Sequence, residues 1–113
     1  MSEDSVRRGV DYILSAGAEP PTAILAMSDR VALIAMDELR RRGLSVPGDI
    51  SIVGYDGVPE AEISVPPLTT ITQPIAEIGR RAVKAILDHD GKVHRDTLPV
   101  ELVVRQSTAR PRT

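Results

Sequence analysis

The sequence predicts an α/β domain in which helices flank an open parallel sheet, and three observations predict it. Apolar residues recur at helical spacing in three segments, which indicates helices with one buried face. Two apolar runs of strand length, 23–27 and 50–54, flank the second of these helices. A strand, a helix and a strand within about thirty residues form a βαβ unit, whose strands run parallel and whose crossover is right-handed.

The first helix is predicted over residues 2–16. Its apolar positions lie at spacings of four, three and one, and so on one face: Val6, Val10, Ile13 and Leu14. The helix is expected to end at Gly17, because the following Pro20-Pro21 pair lacks amide donors and restricts its neighbours to extended backbone. A loop therefore leads to the first strand.

The run 23–27 predicts a first strand that is covered on both faces, as in the middle of a parallel sheet. Ser28 and Asp29 follow it as helix-starting residues, since short side-chain oxygens accept hydrogen bonds from the free amides of a first turn. This second helix is predicted to extend to Arg42, with Gly43 as its left-handed cap.

The second helix is apolar without interruption from Val31 to Met36. One face on a sheet cannot use that much apolar surface, so a further surface is predicted to cover its other side. The helix ends in Arg40, Arg41 and Arg42, which suit the negative end of the helix dipole. A solvated basic end is favoured here over a DNA-binding patch.

The remaining elements follow from composition and spacing. A second strand is predicted at 50–54, a crossing segment at 58–74 that contains the β-prone Thr69–Thr72, a third amphipathic helix at 74–88, a last strand at 99–105 and a frayed polar tail at 106–113. The third helix is expected to begin at Pro74, because proline suits the first helical position.

Composition excludes several classes of function. The net charge is -2, and Tyr12 and Tyr55 are the only aromatic residues, so nucleic-acid binding by these residues is not expected. The chain contains no cysteine and no apolar run long enough to span a membrane. We therefore predict a cytoplasmic protein without a membrane partner, although the missing cysteines do not require that compartment.

Two carboxylates are the candidate ligand-binding groups. Asp29 and Asp56 follow neighbouring parallel strands, whose carboxyl ends meet at the edge where open sheets bind ligands. The alternative is that Asp29 only caps its helix and Asp56 only stabilises the turn before Gly57. Catalysis by the pair would need a nucleophile or water-activating partner and perturbed pKa values, none of which the sequence reveals, so we predict no enzyme. His89 and His94 have no recognised ligand spacing, so we predict neither metal nor cofactor.

An ordered series of segments resembles the LacI/GalR family of transcriptional regulators. Residues 28–29 and 39–47 carry Ser-Asp and Leu-Arg-Arg-Arg-Gly-Leu-Ser-Val-Pro, and residues 49–56 carry Asp-Ile-Ser-Ile-Val-Gly-Tyr-Asp. The rest of the series comprises Pro21–Ile24, Ala32-Leu33, Pro66–Ile71, Gln73-Pro74, Gly79, Leu98-Pro99 and Arg105–Thr108.

This resemblance implies a partial periplasmic-binding-protein-like type I fold, with two subdomains and a small-molecule effector such as a sugar between them. Residues 1–65 and 99–110 would belong to the C-terminal subdomain, the helix at 74–90 to the N-terminal subdomain, and 66–73 and 91–98 to crossing segments. It also implies a homodimer. The implied residues are Asp29, Asp56, Ser28 and Tyr55 for the effector, and Met36 and Ile63 for the dimer interface.

The sequence departs from the family pattern at two positions. Gly57 stands where family members usually carry a second acidic or polar residue, and Ser28 stands where asparagine is commoner. The family's DNA-binding headpiece lies outside this chain, so DNA is expected as a partner only through that headpiece. The alternatives are a sugar-binding receptor of a transport system, and a small α/β enzyme or interaction module.

Overall fold

The computed structural model describes residues 1–112 and contains four helices and four strands in that range. The helices are α1 Glu3–Ser15, α2 Asp29–Arg41, α3 Glu60–Ile63 and α4 Ile75–Leu87. The strands are β1 Ala23–Leu25, β2 Ser51–Asp56, β3 Thr69–Thr72 and β4 Glu101–Val103. The predicted α/β class is confirmed.

The four strands form one sheet in the order β1-β2-β3-β4. The first three are parallel, and β4 pairs with β3 in the antiparallel direction. In this register Ile24 lies opposite Ile52, and Gly54 lies opposite Thr70. The βαβ unit formed by β1, α2 and β2 is therefore present, and β2 is the strand with a parallel neighbour on each side.

The hydrophobic core lies between the sheet, α2 and α1. Helix α2 packs on β2, and α1 packs on α2. Val6 and Val10 of α1 are buried, so α1 supplies a covering surface for α2 of the kind that its long apolar run predicted. Gly43 has φ +79°, as the predicted left-handed cap requires.

Strand β1 corrects one expectation. It ends at Leu25, and it lies at an edge of the sheet with Ala23 and Leu25 exposed. The apolar run predicted a strand that is covered on both faces, but within residues 1–112 only β2 pairs with β1. The apolar composition of β1 therefore exceeds what this part of the chain can bury.

Two further corrections concern the second half of the chain. The segment 58–74 was expected to lack a helix, yet α3 forms a single turn there, and its Ala61 is buried. The predicted frayed tail is wrong for residues 106–109, because Ser107 is 0% exposed and its backbone oxygen accepts from the Ile52 amide at 2.9 Å. Position 113 lies outside the described residues.

Helix α4 projects from this body. None of its residues is buried, although its apolar stripe is the one that the sequence predicted. The described chain accordingly measures 56 × 25 × 22 Å with a radius of gyration of 17.5 Å, against about 13 Å for a compact domain of similar length. The sheet and its packed helices thus form a body, residues 1–72 with 101–109, from which α4 extends.

Candidate ligand-binding site

Asp29 lies at the start of α2 and is completely buried. Its Oδ2 accepts hydrogen bonds from the amides of Gly57 at 2.9 Å and Val58 at 2.8 Å, and its Oδ1 accepts from the Thr70 hydroxyl. Three donors thus satisfy a carboxylate that would be costly to bury without partners. Asp29 joins the start of α2 to the turn after β2 and to β3, and leaves no exposed oxygen for a ligand.

Ser28 rather than Asp29 caps the helix. The Ser28 hydroxyl oxygen accepts from the Val31 amide at 3.2 Å, and its backbone is extended, as an N-cap requires. The alternative in which Asp29 serves only as a helix cap is therefore wrong. Ser28 is half-buried at the carboxyl end of β1, where one lone pair of its hydroxyl is used by the cap.

The turn after β2 has unusual backbone geometry. Asp56 has φ +129°, which is rare outside glycine, and the next residue, Gly57, has φ +82°. A Cβ at Gly57 would collide with Thr72, whose Cα it would approach to 3.0 Å. Strain of this kind persists only where the surroundings hold it, and it concentrates at functional sites. Here the surroundings are Asp29 behind the turn and Thr72 beside it.

The Asp56 side chain is half-buried and reaches the segment between β3 and α4. Its Oδ1 accepts from Nε2 of Gln73 at 2.8 Å, and its backbone oxygen accepts from the Gln73 amide at 3.2 Å. Among residues 1–112 no hydrogen bond reaches its Oδ2. One oxygen of a carboxylate at the sheet edge is therefore open to a further donor.

A cavity of about 500 Å³ lies between the sheet edge and α4. Tyr55 and Gln73 line its sheet side, Ile78 and Arg81 line its helix side, and Leu98 belongs to the segment that leads back to β4. Its volume lies in the range of small-molecule sites. Tyr55, which the sequence nominated, therefore faces a space large enough for a small ligand.

The two residues nominated for a dimer interface differ in accessibility. Met36 is only 3% exposed, because the face of α2 that carries it belongs to the core. That prediction is corrected, since Met36 has almost no surface to offer a partner. Ile63, at the end of α3, is 79% exposed, and its neighbour Val65 is similarly exposed.

Three polar residues of this region were not singled out by their chemistry in the sequence. Thr70 binds Asp29, Gln73 binds Asp56, and the Ser107 hydroxyl accepts from the Thr69 amide at 2.8 Å and donates to the Ile52 oxygen at 2.6 Å. A signal was present for Thr70, since a polar residue in a buried strand needs a partner. Gln73 and Ser107 lie in irregular segments, and only the family resemblance included them, without a role for either.

Among residues 1–112, no group of three or more histidine, aspartate and glutamate residues could hold a metal ion, and no helix is long and apolar enough to cross a bilayer. His94 instead contacts Asp90 at 2.9 Å in the loop after α4.

Comparison with known proteins gives the site a context. Residues 2–108 match the family model described as a periplasmic binding protein-like domain. The chain is 44% identical over 95 residues to the HTH-type transcriptional repressor CytR of Escherichia coli (strain K12), an alignment that covers 80% of this chain and 28% of that repressor. The chain thus spans under a third of that curated relative.

Solved structures agree with this match. A dimeric Lac repressor superposes with a TM-score of 0.85 at 35% identity, covering 98% of this chain and 42% of that one. A LacI family transcriptional regulator from Enterococcus faecium with bound ribose superposes with a TM-score of 0.82 at 33% identity, covering 96% and 41%. These relatives are transcriptional regulators rather than enzymes, which agrees with the prediction of no catalytic activity.

Proposed function

Because this chain belongs to the periplasmic binding protein-like domain family, we propose that it is part of the effector-binding core of a LacI-type transcriptional regulator. CytR and the two solved relatives are regulators, and neither a transport receptor nor an enzyme is among them. Their greater length supports a whole protein in which a DNA-binding segment accompanies this core, and such a protein would act in the cytoplasm.

The effector is a polyhydroxylated small molecule such as a sugar, and Asp56 is its principal contact. The observation that carries this proposal is the open Oδ2 of Asp56 in a strained turn at the carboxyl end of the sheet. A carboxylate oxygen accepts a strong hydrogen bond from a hydroxyl group, and a relative of the same fold was solved with bound ribose. Ser28 and Tyr55 lie at the same edge and complete the contacts from this chain.

Asp29 contributes differently from the expectation that it contacts the effector. Its carboxylate is buried behind the turn and bound to three donors, so its proposed role is to hold Gly57 and Val58 in place. Asp56 is then presented to the ligand by a turn that does not have to reorganise on binding, which lowers the free-energy cost of association.

The predicted subdomains supply the regulatory mechanism. Residues 1–65 and 99–110 form one subdomain, the helix at 74–90 packs on the other, and 66–73 and 91–98 cross between them. The unburied apolar stripe of α4 supports this division. An effector that binds one relative orientation of the subdomains more tightly shifts the population toward it, and so alters DNA binding elsewhere in the protein.

A homodimer is part of the proposal. One solved relative is a dimer, and Ile63 and Val65 are exposed apolar residues. Val65 lines a cleft of about 220 Å³ together with Met36, Val46 and Pro66. Exposed apolar area of this kind marks interaction surfaces. We assign Ile63 to the interface, to which Met36, at 3% exposure, contributes little surface.

The experiment is a titration of the gene product with ribose, sucrose and nucleosides by isothermal calorimetry, beside Asp56→Asn and the control Asp4→Asn. Asp4 is an exposed carboxylate in the first turn of α1. We expect one of these compounds to bind the native protein and the control alike, and Asp56→Asn to bind at least tenfold more weakly, since a hydrogen bond to a charged group contributes about 1.5–3 kcal/mol. Equal binding by Asp56→Asn would remove Asp56 from the site.

A further inference from the structure

Gln73 connects the candidate ligand-binding carboxylate to the segment that leads into α4. It follows β3 directly and is itself followed by Pro74, the N-cap of α4. Two hydrogen bonds tie it to Asp56, one from its backbone amide at 3.2 Å and one from Nε2 at 2.8 Å. Asp56 is thus held by Gln73 on one side, while Asp29 binds the amides of the turn that follows Asp56.

We infer that Gln73 is a positioning residue that binds one carboxylate oxygen of Asp56 and thereby fixes the other as the acceptor for the effector. This inference rests on the proposed function of Asp56. Without Gln73 the carboxylate could rotate about its terminal torsion, which is a broad and soft degree of freedom. With Gln73 bound to Oδ1, the carboxylate plane is fixed, and Oδ2 points in one direction to accept a hydrogen bond from a hydroxyl of the effector.

The bond from the side chain is separable from the fold of the turn. The backbone bond between Gln73 and Asp56 and the contacts of Asp29 with Gly57 and Val58 do not involve the Gln73 side chain. A change of the Gln73 side chain therefore keeps the backbone hydrogen bonds that hold the turn. It removes the hydrogen bond that orients the Asp56 carboxylate. That bond is also a contact between the ligand site and the segment that leads into α4.

The chemistry of the pair provides a direct test. Replacing Gln73 by glutamate keeps the shape and sets two carboxylates against each other, whereas Gln73→Glu combined with Asp56→Asn restores a donor and an acceptor with their roles exchanged. Gln106→Glu is the matched control, because Gln106 is exposed and its side chain makes no hydrogen bond within residues 1–112.

The first measurement needs no effector. Labelling the chain with ¹³C-carbonyl aspartate and ¹⁵N-glycine gives correlations from Asp-Gly pairs alone, and this sequence has two, Asp56-Gly57 and Asp90-Gly91. We expect Gln73→Ala and Gln73→Glu to shift the first correlation and leave the second unchanged, and Gln106→Glu to shift neither. An unshifted Asp56-Gly57 correlation in both Gln73 variants would overturn the inference.

The second measurement is ribose affinity of the gene product by calorimetry. Gln73→Ala is expected to weaken ribose binding about tenfold, Gln73→Glu further, and the exchanged pair to recover part of the loss relative to Gln73→Glu, with the thermal midpoint of the unliganded protein unchanged. Native affinity in both Gln73 variants would also overturn the inference. If the native protein itself fails to bind ribose, the proposed effector class loses this member, while the labelling result still decides whether Gln73 positions Asp56.

Discussion

Helices α2 and α4 have thirteen residues each, yet α2 buries five of them and α4 buries none. Both carry apolar residues at helical spacing, so this periodicity alone does not separate them. The difference is in their neighbours, since α2 lies between β2 and α1, whereas α4 extends beyond the sheet. Amphipathic periodicity therefore predicts which face of a helix is to be covered, but not that the cover lies within the same chain.

The comparison also separates two kinds of polar contact. In the body, Asp29 and Ser107 are buried and bonded to backbone that is distant in the chain. Asp29 accepts from the turn after β2, and Ser107 bonds β2 and β3. On α4 the polar contacts are exposed ion pairs. Glu77 binds Arg80 and Arg81 within one turn, and Arg81 also binds Asp96 in the loop after the helix. Buried bonds to the backbone specify the fold of the body, while the exposed pairs support only α4 and the loop that follows it.

The largest expected effect is in the core of the body. Leu39→Ala removes a side chain that is 0% exposed, and it should lower the free energy of unfolding by about 4 kcal/mol through lost burial and a residual cavity. Leu87→Ala makes the same chemical change on α4, where the side chain is 78% exposed, and should alter it by less than about 0.5 kcal/mol. Urea denaturation of the isolated chain measures both, and equal costs would mean that α4 is covered in solution.

The next effect concerns the buried carboxylate. Asp29→Ala leaves the Gly57 and Val58 amides and the Thr70 hydroxyl without their acceptor, and should cost about 3 kcal/mol. Asp29→Asn keeps an acceptor of the same shape and should cost about 1 kcal/mol. Urea denaturation gives both values. If asparagine proves as costly as alanine, the charge of Asp29 matters more than its bonds to the turn.

A smaller effect is expected at the C-terminal end of the body. Ser107→Ala removes an acceptor from the Thr69 amide and a donor to the Ile52 oxygen, and should cost about 2 kcal/mol. Ser64→Ala is the control, because its hydroxyl contacts only the carbonyls of Ala61 and Pro66, which are near it in the chain. Hydrogen exchange should show faster exchange of the Thr69 amide in Ser107→Ala alone. An unchanged exchange rate of the Thr69 amide would mean that residues 106–109 are frayed, as the sequence predicted.

The sequence predicted those features of the fold that depend on neighbouring residues. The Ser28 cap and the Gly43 cap are local, and each appears where its pattern indicated. The two apolar runs also form strands, although β1 ends at Leu25. The errors concern partners far apart in the chain. Ser107 lies 55 residues from Ile52, and the exposure of Leu25 depends on which strands flank β1, so neither follows from a local pattern.

The same limit applies to the candidate site. The sequence predicted that Asp29 and Asp56 would meet at one edge of the sheet, because strand ends can be located from composition. It assigned them one role, whereas the structure buries Asp29 and leaves an oxygen of Asp56 open. That division depends on the register of β2 against β3, which places Gly54 opposite Thr70 and so makes room for the Asp29 carboxylate.

The smallest expected effect is on α4. Hydrogen bonds from Arg80, and then from Arg81, lower the pKa of Glu77 to about 2 from its ordinary 4.5. A lowered pKa stabilises the folded form above the ordinary value, and this contribution is lost as the pH falls from about 4.5 to about 2. Because α4 does not pack on the body, the loss should loosen α4 alone.

Carbon-13 titration of the Glu77 carboxyl and the Cα shifts of α4 measure this effect, with Glu77→Gln as the control that has no carboxylate to protonate. The native α4 should lose helical Cα shifts between pH 5 and pH 2 to a greater extent than the α4 of Glu77→Gln. The urea midpoint of the body should be the same for both proteins at each pH, since protonation of other carboxylates affects them equally. A difference in that midpoint would show that α4 and the body unfold as one unit, and the contrast between α2 and α4 would then be one of exposure but not of stability.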